Sequence, residues 1–402
     1  MKHTRRRMPA IEIRASRTLR LGVSPARFLR DYWQKRPLLI RGAFATAREW
    51  ITPNDLAGLA CAEGALARIV RHEPRRDRWN LRDGPFVGRD FARLPKTRWT
   101  LLVQDVDKWD ADVAALLDAF AFVPSWRIDD VMVSYATDGG GVGAHVDQYD
   151  VFLVQGRGRR RWRISVDPRA PKDFRDDAEL KLLRHFAPTH DWVLEPGDVL
   201  YLPPGVPHEG TAVGECMTFS VGMRAPAQAE LMLDFAASTA TSLGEEARYT
   251  DPDLLPARAA GEIDAGAMRR LRAAMPLFSN VDHDALLRWF GAFITRYRAA
   301  HEAAPPPRRS TAAAIAHRLP QSVLQRNPWS RTAWARRAPG ALLFVAGTIV
   351  ECSAALARTL CSTATMDGRD AVRLCRSPAT MQMLTDLINA GHWRLAQRNP
   401  RA

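Results

Sequence analysis

Two strand-like segments constrain this chain most, because each contains residues that can bind a divalent metal. The first, residues 145–155, follows a glycine cluster and is rich in β-branched and aromatic residues, which favour strands. In a strand, residues i and i+2 point to the same side, so His145 and Asp147 are expected to project together. The second segment, residues 192–208, ends at His208. The pattern therefore predicts a β-rich fold in which three potential ligands meet.

The second segment contains its own turn signals. Pro196, Gly197 and Asp198 are typical of a hairpin turn, residues 199–202 of a short strand, and residues 203–207 of a tight corner. A histidine placed directly after such a corner can reach a neighbouring strand. We therefore expect His208 to face the first segment.

The residue types favour one kind of metal. Two imidazoles and one carboxylate can occupy one face of Fe(II) and leave the other face open, as in the iron oxygenases. A His-x-Asp pattern alone is more often structural than metal-binding. The run Gly-Asp-x-Leu-Tyr-x-Pro-x-Gly-x-x-His, which ends at His208, is far more specific. Together they predict a metal site formed by His145, Asp147 and His208.

Iron oxygenases of this kind need an electron source, which is commonly an acidic cosubstrate. The arginine-rich segment 158–165 offers a cation that could bind its carboxylate. If this segment is a strand, Arg160 shares an apolar face with Trp162 and Ile164, and the other arginines face the opposite side. An inward arginine can bind a carboxylate through two hydrogen bonds. The alternative is that the strand parity is shifted by one and all of these arginines are solvated.

The chain has 402 residues, 46% of them hydrophobic and 25% charged, which is typical of a globular protein with two or three domains. Many short strand signals over residues 85–222 predict a β-sandwich or barrel. Helical spacing of apolar residues follows over 228–243 and 284–300. A proline-rich stretch, 303–310, predicts a linker, and about ninety residues lie beyond it.

The net charge of +14 favours anionic partners, although arginines spread evenly over the surface would give the same value. Residues 326–337 interleave arginines with Trp329 and Trp334. This segment could contact RNA through stacking and phosphate attraction. Alternatively, it could be a partly buried helix with arginines that extend to solvent.

Five scattered cysteines match no zinc pattern and no disulfide framework, which favours a reducing cytoplasm. A metal or redox cluster of Cys352, Cys361 and Cys375 is the alternative. No apolar run approaches the ~20 residues of a membrane helix, so we expect no membrane segment. The basic N-terminus lacks the apolar stretch of a secretory signal, although it could resemble an organelle transit peptide.

Several motifs together resemble one known family. The runs 145–152, 155–163 and 196–210 are similar to those of the JmjC-domain ribosomal oxygenases. They are most similar to the bacterial branch that hydroxylates an arginine of ribosomal protein uL16. The resemblance also includes residues 32–38, 139–143, 220–226 and 249–253. It spans roughly residues 20–300 and fades after the proline-rich stretch.

The resemblance implies a mainly β N-terminal domain, a double-stranded β-helix of the cupin/JmjC type, over residues 1–225. It implies an α-helical dimerisation region over 226–302, a linker over 303–310 and a winged-helix-like α+β domain over 311–402. The partners it implies are uL16 or a similar basic protein and a second copy of the chain. Possible contact with ribosomal RNA rests on the basic segment 326–337 instead.

The resemblance also implies the chemistry of the site, with Fe(II) as the metal and 2-oxoglutarate and O2 as cosubstrates. No catalytic residue is implied beyond the metal centre. A basic substrate side chain would need acidic partners near the mouth of the site, and Asp138 and Asp150 are the nearest candidates by sequence. Either could instead be a turn or strand-edge residue, and Ser134 could be an ordinary strand hydroxyl bonded to backbone. The implied site residues are His145, Asp147 and His208 for iron, Arg160 and Ser134 for 2-oxoglutarate, and Asp138 and Arg258 for the substrate.

Two alternative functions are compatible with parts of these observations. A demethylase of methylated lysine or arginine would use the same iron chemistry and release formaldehyde. A non-catalytic cupin-like module would escort ribonucleoprotein through its barrel and basic tail. The retention of a complete ligand set together with Arg160 argues against the second alternative.

Overall fold

The computed structural model describes residues 10–44, 50–241, 282–297 and 301–397, together with positions 252, 266, 268, 269 and 271. The chain divides into two compact units, Met1–Ala225 and Pro226–Ala402. Among the described residues, none of the helices combines the length and apolar character required to span a bilayer.

The first unit is mainly β. Its strands are β1 (Glu12–Arg14), β2 (Leu38–Arg41), β3 (Ala67–Glu73), β4 (Arg78–Asp83), β5 (Trp99–Val103), β6 (Ile128–Ala136), β7 (Val151–Ile164), β8 (His190–Leu194), β9 (Val199–Leu202) and β10 (His208–Met223). Its α-helices are α1 (Pro25–Asp31), α2 (Pro53–Leu59), α3 (Gly88–Ala92), α4 (Val106–Trp109) and α5 (Ala111–Ala114). The side chain of Thr52 caps α2, and Pro53 occupies its first position, as the sequence predicts.

The ten strands form one sheet in the order β1-β2-β9-β7-β10-β6-β5-β3-β4, and β8 pairs with β7 outside this path. The long strands β7 and β10 pair antiparallel at its centre. Side chains alternate between the two faces, as strand geometry requires. Val151 and Leu153 of β7 pack with Trp162 on one face, which we call the inner face. Phe152 and Val154 pack on the other face, against the N-terminal helices.

The strand predicted over residues 145–155 begins only at Val151, so the prediction is wrong for residues 145–150. His145 forms an isolated bridge with His208 instead. The carbonyl oxygen of Asp147 accepts a hydrogen bond from the amide of Gly205 at 2.7 Å. The backbone at Asp147 is therefore bonded to the corner loop 203–207 and not to a strand. The rule that residues i and i+2 of a strand share a face does not apply here.

The turn at Pro196–Asp198 exists, but it does not form a hairpin. β8 pairs with residues 160–164 of β7, and β9 continues along the same edge with residues 151–154. Between them, Gly197 donates to the carbonyl of Gln155 at 2.8 Å and adopts a φ of 95°. The turn therefore forms a bulge between β8 and β9 along one edge of β7 and does not reverse the chain. This is possible because β7 is long enough to pair with both strands.

The second unit contains helices α6 (Gln228–Ala240) and α7 (His283–Arg296), which confirm a helix in each predicted range, although the second helix ends at Arg296. The indole nitrogen of Trp289 on α7 donates to Asp234 of α6 at 2.9 Å. The remaining strands are β11 (Ser322–Arg326), β12 (Thr332–Arg337), β13 (Gly340–Val345), β14 (Thr348–Cys352), β15 (Thr365–Asp367) and β16 (Trp393–Gln397). The remaining helices are α8 (Ala312–Arg318), α9 (Ala354–Ser362), α10 (Gly368–Leu374) and α11 (Pro378–Asn389).

These elements form two three-stranded sheets, β15-β11-β16 and β12-β13-β14, over one hydrophobic cluster. The proline-rich stretch packs against this unit at its end. Ser310 and Asn389 exchange two hydrogen bonds of 2.8 and 2.9 Å. The α+β character and the winged-helix expectation therefore agree with the observed elements.

A substitution at Asp198 can measure how much the bulged turn contributes to stability. Its buried carboxylate accepts hydrogen bonds from Arg41 Nη1 at 2.8 Å and from the Gly42 amide at 2.9 Å. We expect Asp198→Ala to lower the free energy of unfolding by about 2–3 kcal/mol, because both donors lose a charged acceptor. Denaturant unfolding measures the change.

The matched control is Asp191→Ala, which removes an exposed carboxylate that pairs with Arg161. It should lower the free energy of unfolding by less than about 1 kcal/mol. Equal losses in the two variants would contradict a special role of the turn.

Candidate metal centre

The three predicted metal ligands meet in the structure. One ligand atom from each of His145, Asp147 and His208 lies within 4.8 Å of the others. His208 Nε2 is 3.6 Å from Asp147 Oδ2, and the centroids of the two imidazole rings are 4.2 Å apart. Nitrogen and carboxylate ligands at these separations can surround one divalent ion.

Backbone contacts position all three side chains. The amides of His145 and His208 each donate to the other's carbonyl at 3.0 Å, which joins the loop before β7 to the first residue of β10. The corner 203–207 turns at Gly205, whose φ is 79°, and Gly205 donates to the carbonyl of Asp147. The corner therefore holds Asp147 and presents His208.

Each imidazole is oriented by its Nδ1 atom. Nδ1 of His145 lies 3.0 Å from the carbonyl oxygen of Gly143, and Nδ1 of His208 lies 2.9 Å from that of Val206. A carbonyl only accepts, so Nδ1 carries the proton in both rings. Nε2 is then left with a free lone pair for a metal, the arrangement found around metal-binding histidines.

His208 is buried, with 2% of its surface exposed. Burial, reinforced by the neighbouring His145, lowers the pKa of His208 to about 4. The ring is therefore neutral at neutral pH, which is the protonation state that binds metals.

Arg160 lies on the inner face, as the sequence predicts, with 3% of its surface exposed. Its Nη1 donates to Ser134 Oγ and its Nη2 to the carbonyl of Gly210, both at 3.2 Å. Its Nε has no hydrogen-bond partner, and no carboxylate of the described residues pairs with it. Burial lowers the pKa of the guanidinium. A buried cation with only neutral partners fits an anionic ligand such as a carboxylate.

Trp162 connects the arginine to the metal ligands. The guanidinium carbon of Arg160 is 5.1 Å from the centroid of the Trp162 ring, which in turn is 5.9 Å from that of His208. Sequence reasoning missed Gly210, where a Cβ would lie 2.7 Å from both Arg160 Nε and the Trp162 ring. A glycine inside a strand signals this kind of close approach.

Asp138 and Asp150, the acidic candidates for contact with the substrate, both accept hydrogen bonds from other parts of the protein. The carboxylate of Asp138 accepts a hydrogen bond from the Gly214 amide at 2.8 Å, which is a turn contact. Asp150 is fully buried and accepts from the Tyr201 hydroxyl at 2.6 Å. Arg258 lies outside the described residues. The roles predicted for Asp138 and Arg258 stay predictions.

The basic segment 326–337 mostly makes contacts inside its own unit. Arg326 is bonded to Thr332 at 2.9 Å, and Arg337 is bonded to Asp284 at 2.7 Å. Arg336 lies over the ring of Trp334, 5.6 Å from its centroid. The segment forms strands rather than a helix, but its partial burial agrees with the second of the two interpretations.

All five cysteines are free thiols. Among the described residues, Cys352, Cys361 and Cys375 belong to no cluster that could hold a metal. Burial raises the pKa of Cys361 and of Cys375 to about 11, which keeps both thiols protonated and makes them poor ligands.

Family models match both units. The JmjC domain matches residues 115–231 and the ROXA-like winged helix matches residues 277–394. A third model, the AraC-like ligand binding domain, matches residues 185–302 and overlaps both.

Individual proteins match over longer stretches. The ribosomal protein uL16 3-hydroxylase of Escherichia coli (strain K12) is 41% identical over 280 residues, which is 69% of this chain and 73% of that protein. A probable ribosomal oxygenase of Haemophilus influenzae is 40% identical over 205 residues, 51% of this chain and 50% of that protein.

Solved structures match nearly the whole chain. The E. coli ribosomal oxygenase YcfD has a TM-score of 0.80 and 36% sequence identity, and the match covers 93% of this chain and 98% of that one. Its complex with cobalt and 2-oxoglutarate also has a TM-score of 0.80, with 35% identity and coverage of 93% and 99%.

The fold and the site together define an oxygenase of the JmjC class with a C-terminal winged helix. Within that class, the chain belongs to the ribosomal oxygenase family that includes the E. coli uL16 3-hydroxylase.

Removal of any one ligand should weaken metal binding. We expect His145→Ala and Asp147→Ala each to lower the affinity for Mn²⁺ or Co²⁺ by more than about 100-fold, because even changes behind the ligands cost 10–100-fold. Calorimetric titration of the metal-free protein measures the affinity. His185→Ala, which removes an exposed histidine beside Asp173, should leave the affinity unchanged. Unchanged affinity in both ligand variants would contradict the assignment.

Proposed function

We propose that this protein is an Fe(II)- and 2-oxoglutarate-dependent dioxygenase that hydroxylates an arginine side chain of ribosomal protein uL16. The observation that supports this most is the buried, uncompensated Arg160 close to a complete set of metal ligands. The names of the matched relatives supply the substrate, and the cobalt and 2-oxoglutarate complex of YcfD supplies the cosubstrate.

In this proposal His145, Asp147 and His208 hold the iron. The bound iron supplies the activation of O2 that couples oxidation of 2-oxoglutarate to hydroxylation of a substrate carbon. The protein contributes two neutral imidazoles held in one tautomer and a carboxylate held by the corner loop. These ligands bind the metal and leave part of its coordination sphere open.

Arg160 and Ser134 bind the distal carboxylate of 2-oxoglutarate in the proposal. The Ser134 hydroxyl donates to the carbonyl of Thr218 at 3.4 Å and accepts from Arg160 Nη1 at 3.2 Å, so it is bonded both to backbone and to the proposed cosubstrate-binding arginine. A carboxylate would supply the charge that Arg160 lacks and would accept from its unpartnered Nε. Trp162 limits the access of water to this ion pair, which strengthens it.

Arg160→Lys keeps the charge but removes the forked donor. We expect the KM for 2-oxoglutarate to rise by about tenfold or more, because an ammonium group binds a carboxylate as a point charge. Gly210→Ala should raise the same KM, since its Cβ would displace Arg160 and Trp162. Succinate formation measures both effects.

The control for this pair is Arg161→Lys, which changes a neighbouring exposed arginine on the other face of the strand. Its KM for 2-oxoglutarate should equal that of the wild type. An equal rise in Arg161→Lys and Arg160→Lys would contradict the assignment of Arg160.

The function itself is tested with the iron-loaded protein and a uL16-derived peptide. The expected result is succinate formation together with a peptide heavier by one oxygen atom, located on an arginine by fragmentation. Formaldehyde release from a methylated peptide would favour a demethylase instead. Iron binding without turnover of any ribosomal peptide would favour the non-catalytic module.

We also propose that the helical region mediates homodimer formation. Met232 and Leu233 on α6 expose 57% and 73% of their surfaces, and Leu286 on α7 exposes 40%. Exposed large apolar residues grouped on neighbouring helices are typical of a contact surface. The isolated positions Met268 and Leu271 are exposed as well.

Leu233→Glu should convert the dimer to a monomer, because burying an unpaired carboxylate in an apolar interface is unfavourable. Sedimentation velocity over a range of concentrations measures the change. Leu19→Glu, at an exposed site in the first unit, should leave the association unchanged. A monomeric wild type would contradict the proposed dimer.

The remaining predicted partners belong to the same proposal. Arg336 and Arg358 both lie over Trp334, at 5.6 and 5.9 Å, and could contact ribosomal RNA through the exposed guanidinium edges. A ribosomal protein substrate and five free thiols support a cytoplasmic location. Asp138 and Arg258 remain the proposed substrate contacts from the family resemblance.

A further inference from the structure

The second unit contains a cavity of about 480 Å³, a size typical of small-molecule sites. Its walls come from the proline-rich stretch, from α8, from the loop after β11 and from the segment that joins α11 to β16. All of these residues belong to the second unit, and none of the proposed iron or cosubstrate residues is among them. The cavity is therefore a separate feature of this unit.

The proline-rich stretch forms a fixed wall of the cavity. Ser310 at its end exchanges two hydrogen bonds with Asn389. Near its start, the carbonyl oxygen of Ala304 lies 2.0 Å from the position that a Cβ on Gly391 would occupy. Gly391 has a φ of 82°, so both its conformation and this close approach require glycine. The stretch is thus held to the unit at both ends, with Arg308 between them.

Three arginines from separate segments line the cavity: Arg308 of the proline-rich stretch, Arg318 at the end of α8 and Arg394 on β16. Among the described residues that line it, none is an aspartate or a glutamate. None of the three arginines forms an ion pair with a carboxylate within the described ranges. Like charges that share a cavity repel each other, and an anionic ligand would relieve this repulsion.

The guanidinium groups have donors available for a ligand. The Nε of Arg394 donates to the side-chain oxygen of Gln325 on β11 at 3.0 Å, which orients the group through a neutral partner. The side chains of Arg308 and Arg318 make no hydrogen bond to another residue in the described part of the chain. Each arginine can therefore offer its forked N–H donors to an anion.

The deeper lining of the cavity is apolar. Ile315, Ile388 and Trp393 line it and belong to the hydrophobic cluster of this unit. These three side chains are buried, whereas the three arginines are exposed. The cavity therefore combines an apolar floor with a cationic rim.

This combination fits a phosphate group attached to an uncharged body. A phosphate monoester carries about two negative charges at neutral pH and presents three acceptor oxygens, so it balances the rim better than one carboxylate does. An RNA strand supplies comparable charge through successive phosphates. A nucleoside attached to the phosphate would cover the apolar floor, as the bodies of small ligands do in concave sites.

We propose that this cavity binds a nucleotide, with Arg308, Arg318 and Arg394 around its phosphate and the base over the apolar floor. The nucleotide is either free in solution or part of a single-stranded RNA, because both present the same phosphate and base. The site is additional to the metal centre, and the inference does not depend on the proposed oxygenase function.

Isothermal titration calorimetry of the full chain tests the proposal with two kinds of probe, the nucleoside 5′-monophosphates and a short single-stranded RNA. We expect binding of at least one probe, and binding of the corresponding nucleoside that is at least about tenfold weaker, because the phosphate makes charge-assisted hydrogen bonds. Binding of a monophosphate identifies a free nucleotide as the ligand. Binding of the RNA alone identifies a strand. Binding of neither would overturn the inference.

Charge variants show whether the probe binds in the cavity. Arg308→Gln and Arg318→Gln should each weaken binding by about tenfold, since each removes charged donors from the rim. The matched control is Arg309→Gln, which removes an adjacent exposed arginine that does not line the cavity. Its affinity should equal that of the wild type. Equal losses in Arg308→Gln and Arg309→Gln would overturn the inference, because binding would then follow net charge alone.

A variant that fills the cavity leaves the charge unchanged. Ala304 is exposed and lines the cavity, so Ala304→Trp should abolish binding by occupying the ligand's space. Ala313→Trp, at an exposed position of α8 outside the lining, should bind as the wild type does. Unchanged affinity in Ala304→Trp would contradict the proposed location. Thermal unfolding at the wild-type temperature confirms that each variant is folded, as expected for substitutions at exposed positions.

Discussion

The reciprocal backbone pairing of His145 with His208 is the interaction on which the site depends. Two hydrogen bonds of 3.0 Å join the loop before β7 to the start of β10, although the residues are far apart in sequence. They bring both imidazoles to one place before any metal binds. Since β7 and β10 also form the centre of the sheet, the same two strands place Arg160 and Gly210 side by side where we propose that the cosubstrate binds. Pre-organised ligands reduce the entropy that binding would otherwise cost.

Arg160 lies near this pairing without an ion-pair partner among the described residues. It is buried, and its hydrogen-bond partners, the Ser134 hydroxyl and the carbonyl of Gly210, are both neutral. This arrangement is unfavourable for folding, because the guanidinium group loses hydration without gaining an opposite charge. It matches the carboxylate of the proposed cosubstrate. The protein therefore retains at this position electrostatic free energy that ligand binding can use.

Much of the site could be predicted from the sequence, and the errors have a common physical origin. The inward face of Arg160 followed from alternation within a regular strand, which the structure confirms. His145 and Asp147 do lie together, but not in the predicted strand, because the backbone makes an isolated bridge at His145 and a bond from the corner loop at Asp147 instead of a continuous ladder. The Pro196–Asp198 turn was recognised, but its direction was wrong, since a turn sequence does not specify which strand its flanks will join.

The sequence by itself determined the ligand types, the strand that holds Arg160, the helices of the second unit and the family. These depend on residue identity and on short-range periodicity, which the chain displays directly. Only the tertiary structure decided that His145 bridges to His208 and that Gly210 makes room for Arg160. Such relations arise between strands that are distant in sequence, where register and close approach depend on the packing of the whole sheet.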